Sequence, residues 1–508
     1  MPHLTLSMIV KNEEKYLRDC LESVKGVVDE IVIIDTGSSD RTIEIANLYG
    51  AKVYDFDWIE DFSAARNYAL NNSTGEWILY MDADERLDKS SIDEIKKRTE
   101  NPRKVGFYCT VKSFDTDGGR DHSIRYTRLF ANDPNLSFSG KVHEQIEESL
   151  LKHDYHLVNS QILINHIGYD VSKEGKRSKA ERNLRLLLDE YAVSKSPYYA
   201  FQLAQTYNVL NDDENAGKYF RAAMDSPKLD RVYKSLCYTS LALIAHSNHR
   251  ISEAEKLILQ SLKINDKQPF AQLLAAKIYL RNGDANKARE KCKISFEINK
   301  EMSKDLSKSG LEVLVDPEEI IFFGLVLAIQ NRSAISIKYY QVELESIYRA
   351  RYPVESEHIF AATKKLIRNI PLSDPDIDLF EMIIKNINLG FFLFLLGRYS
   401  HAEIKLIMLE RLILHFEKNG EIIKSLARAY DECGRVDDAI RLLDKDENLK
   451  NSDPAILFYM LSFYLKKGII EKVPEIINLL NNKFSHIPEV ASRVKQLKEK
   501  FARLRNPS

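Results

Sequence analysis

The sequence predicts a doubly wound α/β domain followed by an all-α array of repeated helix pairs. Three observations carry this. Over roughly the first third of the chain, short apolar runs alternate with amphipathic helical stretches, the pattern of a mostly parallel sheet covered by helices. Those runs end in polar clusters, including Asp35 and Asp82-Ala83-Asp84-Glu85. From about Lys173 the strand-like runs fade, and small and aromatic residues recur with a period near 34, a length that suits helix-pair repeats.

The elements follow in order. Leu4–Val10 reads as a buried strand. Asn12 is expected to cap a helix whose apolar positions Tyr16, Leu17, Cys20, Leu21 and Val24 share one face. Glu30–Asp35 is a second buried strand, Thr36–Asp40 a tight loop, and a helix runs on through Leu48 to Gly50 as its C-terminal stop. Lys52–Phe56 is a third strand. Asp61 or Ser63 then caps a helix, which places Arg66 and Asn67 in its first turn, where backbone N–H groups and the helix dipole favour an anion. Trp77–Met81 is a fourth buried strand. Asp82 and Asp84 stand two apart, so extended chain puts both on one side, where a carboxylate pair can hold a hard divalent cation.

In such sheets ligands bind beyond the carboxyl ends of the strands. Those ends carry Lys11-Asn12-Glu13, Asp35-Thr36-Gly37-Ser38 and Asp82-Ala83-Asp84, so the polar groups converge on one edge. The GxGxxG and Walker A patterns are absent, which disfavours a dinucleotide site and a P-loop NTPase.

Composition narrows the class further. Hydrophobic residues are 44% and charged residues 29%, ordinary for a globular protein. A formal net charge of −2 gives no general attraction to nucleic acid or anionic membrane. Five scattered cysteines without CxxC spacing suit a reducing compartment and argue against a zinc cluster. Met1-Pro2-His3 leads straight into a strand with no basic n-region, so no signal peptide is expected. The apolar runs are too short to cross a bilayer. The expected location is the cytoplasm.

The run IVKNEEKYLRDCLESV, then EIVIIDTGSSDRTIEIA, DFSAARNYAL and WILYMDADERL, resembles the inverting glycosyltransferases of family 2, which have a GT-A fold. Arg125–Phe130, Gly140–Glu144 and Asn165–Tyr169 extend the resemblance to roughly residues 4–170. It implies a Rossmann-like GT-A domain that binds a nucleotide-sugar donor, UDP-glucose or a related UDP-hexose, with Mn²⁺ or Mg²⁺. It also implies roles. Asn12, Glu13 and Asp35 would line the nucleoside pocket, Arg66 would face the diphosphate, and Asp82 would approach the ribose or the metal. Asp84 would ligate the metal, with His166 as a further ligand. Glu144 would be the base that deprotonates the acceptor, beside His143, with Glu85 and Asp121 in reserve. The polar loop Asp115–His122 is either an acceptor-side lid or a long hairpin turn.

Repeats organise the remainder. Pro197, Tyr207 and Ala216 stand at relative positions one, eleven and twenty, as do Pro269, Tyr279 and Ala288. The spacings from Ala254 to Ala288 and from Ala439 to Val473 are both 34. The pattern resembles tetratricopeptide repeats, whose stacked helix pairs offer a surface for a peptide or protein. The expected division is 1–172 for the GT-A domain, 173–304 for the first repeats, 305–385 for an irregular helical connector and 386–508 for the C-terminal repeats. This architecture resembles the bacterial peptide glycosyltransferases of the glycocin (sublancin) type, which implies a Cys or Ser side chain of a precursor peptide as acceptor. A cell-envelope or lipopolysaccharide sugar transferase is the alternative enzyme. A repeat scaffold with an inactive transferase domain is the alternative of another class. Expected partners are the donor and a peptide held by the repeats, with no nucleic acid and no membrane span, and with a homodimer left open.

Overall fold

An eight-stranded mixed sheet organises the N-terminal part of the computed structural model, which describes residues 3–100, 104–113, 122–167, 173–304, 314–383, 388–417, 419–445, 447–485 and 487–505. The chain divides into two units, Met1–Ile320 and Ile321–Ser508. The first unit opens with β1 (Leu4–Val10), α1 (Leu17–Val24), β2 (Glu30–Asp35), α2 (Thr42–Leu48), β3 (Lys52–Asp55), α3 (Phe62–Asn72) and β4 (Trp77–Tyr80). It continues with β5 (Glu85–Leu87), α4 (Ile92–Thr99), β6 (Val105–Ser113), β7 (His122–Ala131), α5 (Glu147–Lys152) and β8 (His156–His166).

Strand order is β3-β2-β1-β4-β7-β6-β8-β5. β3, β2, β1 and β4 are parallel, while β7 pairs antiparallel with both β4 and β6. This is the α/β architecture expected. Strands β1, β2 and β4 are buried along almost their whole length, which is why they read as unbroken apolar runs. Edge strand β3 is short, half-exposed and carries Lys52 and Asp55.

The sheet must curl. β4 and β5 lie four places apart in the order, which in a flat sheet means about 19 Å. Yet the chain from Tyr80 to Glu85 can span only about 18 Å at full extension, and it also folds into a turn closed by the Glu85 N–H donating to the Asp82 carbonyl at 3.0 Å. The acidic strand end is therefore drawn inside the curl, with β7 and β8 around it.

Several local expectations change. Asn12 is not a helix cap. It adopts a left-handed backbone (φ 57°), and α1 starts only at Leu17. Asp61 does cap α3, accepting from the Ala64 N–H. Since α3 starts at Phe62, Arg66 falls beyond the first turn and is not presented to an anion by free backbone N–H groups. The third strand ends at Asp55. Asp115–Asp121 and Gly168–Tyr169 lie outside the described residues.

At the far end of the parallel strands, Glu30 ties the layers together. Its carboxylate accepts from Thr5 Oγ1 at 2.5 Å, Lys52 Nζ at 2.7 Å, Thr74 N–H at 2.8 Å and Thr74 Oγ1 at 2.9 Å. Burial opposes its charge, but these donors outweigh burial and hold the carboxyl at about 2, below its ordinary 4.5. A group depressed in the folded state stabilises above its unfolded pKa, and that stability is lost as pH falls through the folded pKa. Glu30→Gln should therefore cost about 2–3 kcal/mol near neutrality. The difference from wild type should shrink between pH 4.5 and about 2. Chemical denaturation at several pH values checks this, and a difference that stays constant across that window would refute it.

Helices follow in the first unit, among them α6 (Lys173–Ser194), α7 (Pro197–Val209), α8 (Asp213–Met224), α9 (Arg231–Ser247), α10 (Ile251–Ile264), α11 (Pro269–Arg281) and α12 (Ala285–Lys304). From α6 to α12, each packs against the next in sequence. The recurring residues of the sequence have physical reasons. Pro197, Pro269 and Pro454 sit at helix starts, where the missing N–H costs nothing. Ala216, Ala254, Ala288, Ala439 and Val473 are fully buried where helices meet. Gly283, Gly434 and Gly468 take the left-handed conformation that stops a helix. The second unit is helical throughout its described residues, and its C-terminal part, from Gly420–Glu432 through Pro454–Lys467 to Pro488–Arg505, shares one apolar core. The described part of the expected connector also holds regular helices, among them Ala334–Arg351 and Ser356–Ile367. Four of the five cysteines are buried, and Cys433 is half-buried. No helix among the described residues is long and apolar enough to cross a membrane.

Candidate active site

Two loops at the carboxyl ends of β1 and β2 are laced together. The Asn12 N–H donates to Ser38 Oγ at 2.9 Å, and Asn12 Oδ1 accepts from the Ser39 N–H at 2.8 Å. The Glu13 N–H donates to Thr42 Oγ1 at 2.7 Å, and the Glu14 N–H to Asp40 Oδ2 at 3.1 Å. Asp35 Oδ2 accepts from the N–H groups of Gly37 and Ser38 at 3.1 and 2.9 Å. Its other oxygen, Oδ1, is buried and has no partner among the described residues. An unpaired buried carboxylate oxygen is costly. Glu13 sits near Asp84, and burial, reinforced by Asp84, raises its carboxyl to about 7.

A chain of alternating charges runs beneath the acidic turn after β4. Glu144 Oε1 pairs with Arg66 Nε at 2.5 Å, and Arg66 Nη2 with Asp82 Oδ1 at 2.7 Å. Asp82 Oδ2 faces Arg128 Nη2 at 3.5 Å, and Arg128 Nη2 reaches Glu85 Oε1 at 2.7 Å. Glu85 Oε2 closes the chain by accepting the Asp82 N–H at 2.8 Å. Both guanidiniums lie over the Tyr80 ring, 4.9 Å away for Arg66 and 4.5 Å for Arg128. Burial works against the Asp82 charge, but Arg66 and Arg128 outweigh it and hold the carboxyl well below the usual range. Glu85 behaves oppositely. It is 1% exposed, and burial raises it to about 7 despite Arg128.

Asp84 leaves this chain and points elsewhere. Its Oδ2 lies 3.1 Å from His166 Nε2, where β8 ends beside β5. His166 Nδ1 lies 3.1 Å from Ser113 Oγ, which fixes the ring. Burial would lower the imidazole, but the bond to Asp84 wins and raises it.

Thus Asp82 and Asp84 do not share one side. The turn sends Asp82 to the arginines and Asp84 to the histidine. Among the described residues no group of three or more His, Cys, Asp or Glu side chains forms a ready metal cage. Two of Arg66's donor nitrogens are committed to carboxylates instead of standing free for a diphosphate. Glu85, with both oxygens bound inside the protein, is removed from the role of reserve base. His143 is exposed and Glu144 half-buried in an irregular loop.

Residues 5–157 match the family model described as Glycosyl transferase family 2. They form a family 2 glycosyltransferase domain. Over 188 residues the chain is 40% identical to a TPR repeat-containing protein of Synechococcus elongatus, covering 36% of this chain and 46% of that one. It is 28% identical over 233 residues to the SPbeta prophage-derived glycosyltransferase SunS of Bacillus subtilis, covering 45% of this chain and 54% of that one. The chain thus spans about half the length of these curated relatives. Among solved structures it is similar to a tetratricopeptide repeat protein from Parabacteroides merdae, with 12% identity and a TM-score of 0.38 over 59% of this chain and 98% of that one.

Within the family 2 domain, sequence reasoning gave no role to Arg128 and Ser113. Arg128 was visible only as part of a strand motif, and its Glu85 partner is 43 residues away. Ser113 bonds across 53 residues. Neither pairing leaves a local signal. An open cavity of about 690 Å³ lies away from this site, lined by Arg18, Glu22, Lys25, Glu30 and Lys52 among others. Its Lys25–Glu22 and Lys52–Glu30 pairs already satisfy one another.

Proposed function

We propose that the protein is an inverting, metal-dependent glycosyltransferase that moves a hexose from a UDP-sugar to a Cys or Ser side chain of a peptide. The observation that carries this reading is the Asp84–His166 pair, set beside a carboxylate–guanidinium chain that ends in Glu144. Asn12, Glu13 and Asp35 receive the nucleoside, with Asp35 Oδ1 taking an N–H of the base. Asp84 and His166 offer a hard oxygen and an imidazole nitrogen, a donor set that fits Mn²⁺ or Mg²⁺. Asp82 lies two residues before Asp84 in sequence. The metal, when bound, neutralises charge on the departing diphosphate. Arg66 holds Asp82 and Glu144 in register with one another. The helical repeats supply the surface for the acceptor peptide.

The acceptor sulfur or oxygen attacks the anomeric carbon from the face opposite the diphosphate. Its proton passes to the Glu144 carboxylate, the bond from that carbon to the phosphate oxygen breaks, and UDP departs with the electron pair. His143, exposed on the same loop, supports a role on the acceptor side. The intact set of Asp35, Arg66, Asp82, Asp84 and Glu144 favours this reading over an inactive scaffold.

Glu144→Gln tests it. Transfer to a Ser-containing peptide should slow by about 10²-fold or more, the scale of losing a general base, with donor binding nearly unchanged. A Cys peptide should lose less, because a thiol ionises more readily. Wild-type turnover on the Ser peptide would remove Glu144 from the role.

A further inference from the structure

We infer that the first helical hairpin, α6 and α7, is a positioning element of the transferase site, with Tyr198 as the residue that sets the base-bearing loop. This rests on the reading of Glu144 as base and adds what holds it in place.

Glu144 sits in a loop that has little structure of its own. The loop is closed by a single two-bond bridge, in which Ser139 and Gln145 exchange N–H···O bonds at 3.0 Å. Inside it, Gly140 (φ 99°) and His143 (φ 54°) take left-handed conformations. For His143 that is a strained choice, which persists only where surroundings impose it. A loop of this kind does not fix a carboxylate by itself.

The surroundings come from two sides. On the sheet side, Asn67 of α3 brackets the Phe138 backbone, donating to its carbonyl at 3.0 Å and accepting from its N–H at 2.7 Å. The Phe62 N–H, at the start of α3, donates to the Lys141 carbonyl at 2.9 Å. On the other side stands the hairpin. The Tyr198 hydroxyl accepts from Gln145 Nε2 at 2.7 Å and reaches the His143 carbonyl at 3.5 Å. It therefore touches the residues on both sides of Glu144. Val142 is buried among Leu186 and Leu187 of α6 and Leu203 of α7. A Cβ on Gly140 would come within 2.6 Å of the Tyr199 hydroxyl, so the helix lies flush on the loop. α6 also grips the segment before α3 through the Arg185–Glu60 ion pair, and the first residue of α3 through Arg182 over the Phe62 ring at 5.4 Å.

The hairpin therefore presses the loop toward α3, where Arg66 meets Glu144. Placement of a reacting carboxylate matters steeply, since a misplacement of about 1 Å from a remote change can cost about 10²-fold. Tyr198 acts through the loop and touches neither donor nor acceptor.

The test uses the full chain, UDP-glucose and Mn²⁺, with UDP release as the rate and backbone amide exchange as a second readout. Tyr198→Phe removes the hydroxyl alone. It should lower kcat by about tenfold with KM for UDP-glucose within about twofold, as expected for a defect in alignment and not in binding. Exchange across residues 139–145 should accelerate by about tenfold, while the melting temperature stays within a few degrees. Tyr207→Phe, on the same helix but without a bond to the loop, should change none of these. In a Glu144→Gln background, Tyr198→Phe should cost no further kcat.

Unchanged exchange in 139–145 would overturn the inference, and so would an equal further loss of kcat in the Glu144→Gln background. Glu144→Gln with wild-type turnover would overturn the base assignment instead, and exchange in 139–145 would then decide the clamp by itself.

Discussion

Asp84→Ala is expected to reduce transfer by on the order of 10³-fold while the domain stays folded. Asp84 contributes little to the core. Its side chain is 19% exposed and pairs with His166, itself 22% exposed. Losing one such partly exposed pair costs about 1 kcal/mol or less. The backbone role of the residue survives substitution, because the Asp84 carbonyl, which accepts the Ile167 N–H at 2.8 Å, is retained. What disappears is the carboxylate oxygen 3.1 Å from His166 Nε2, the hard oxygen of the proposed cation site. Initial rates across a Mn²⁺ titration, with melting curves alongside, measure both parts. An active variant with unaltered Mn²⁺ dependence would refute the metal assignment. An unfolded one would mean that the turn after β4 depends on the Asp84–His166 bond.

Arg66→Met should be damaging in a different way. The guanidinium is 7% exposed and balances Glu144 on one side and Asp82 on the other. Removing it leaves a half-buried carboxylate without its cation. Discounted for the 40% exposure of Asp82, the loss should be about 2–4 kcal/mol. Transfer should fall to about 1% or less, as expected when a catalytic carboxylate loses its orientation. Adding Glu144→Gln to Arg66→Met removes one uncompensated charge and should recover part of the stability without recovering turnover. Separate recovery of the two properties distinguishes the charge-balancing role from a contact with the donor. Should the single variant melt like wild type, the chain of alternating charges does not support the fold.

How much of this was legible in the sequence follows from which contacts are local. β1, β2 and β4 were readable because strands buried on both faces announce themselves as apolar runs. The tetratricopeptide-like marks were readable because each buried Ala or Val sits at the same point of its repeat. Asn12 was misread as a cap because its side chain serves the neighbouring loop at Ser39 and not its own helix. Arg66 was picked out as functional, but its partners Asp82 and Glu144, 16 and 78 residues away, were not foreseeable from spacing. The Gly140–Glu144 stretch is a loop. Apart from the local Ser139–Gln145 bridge, what holds it comes from α3, α6 and α7, which lie far away in sequence.

The burial of the cysteines has a bearing on chemistry at sulfur. Burial pushes the thiols of Cys109 and Cys237 up to about 12, and that of Cys20, whose Sγ donates to the Asp82 carbonyl at 3.5 Å, higher still. Nucleophilic sulfur is the thiolate, so these side chains are almost wholly protonated at neutral pH. Cys292 is buried as well, and Cys433 is half-buried with its thiol also raised. The chain thus offers almost no thiolate of its own, and labelling by an alkylating probe would be confined to Cys433.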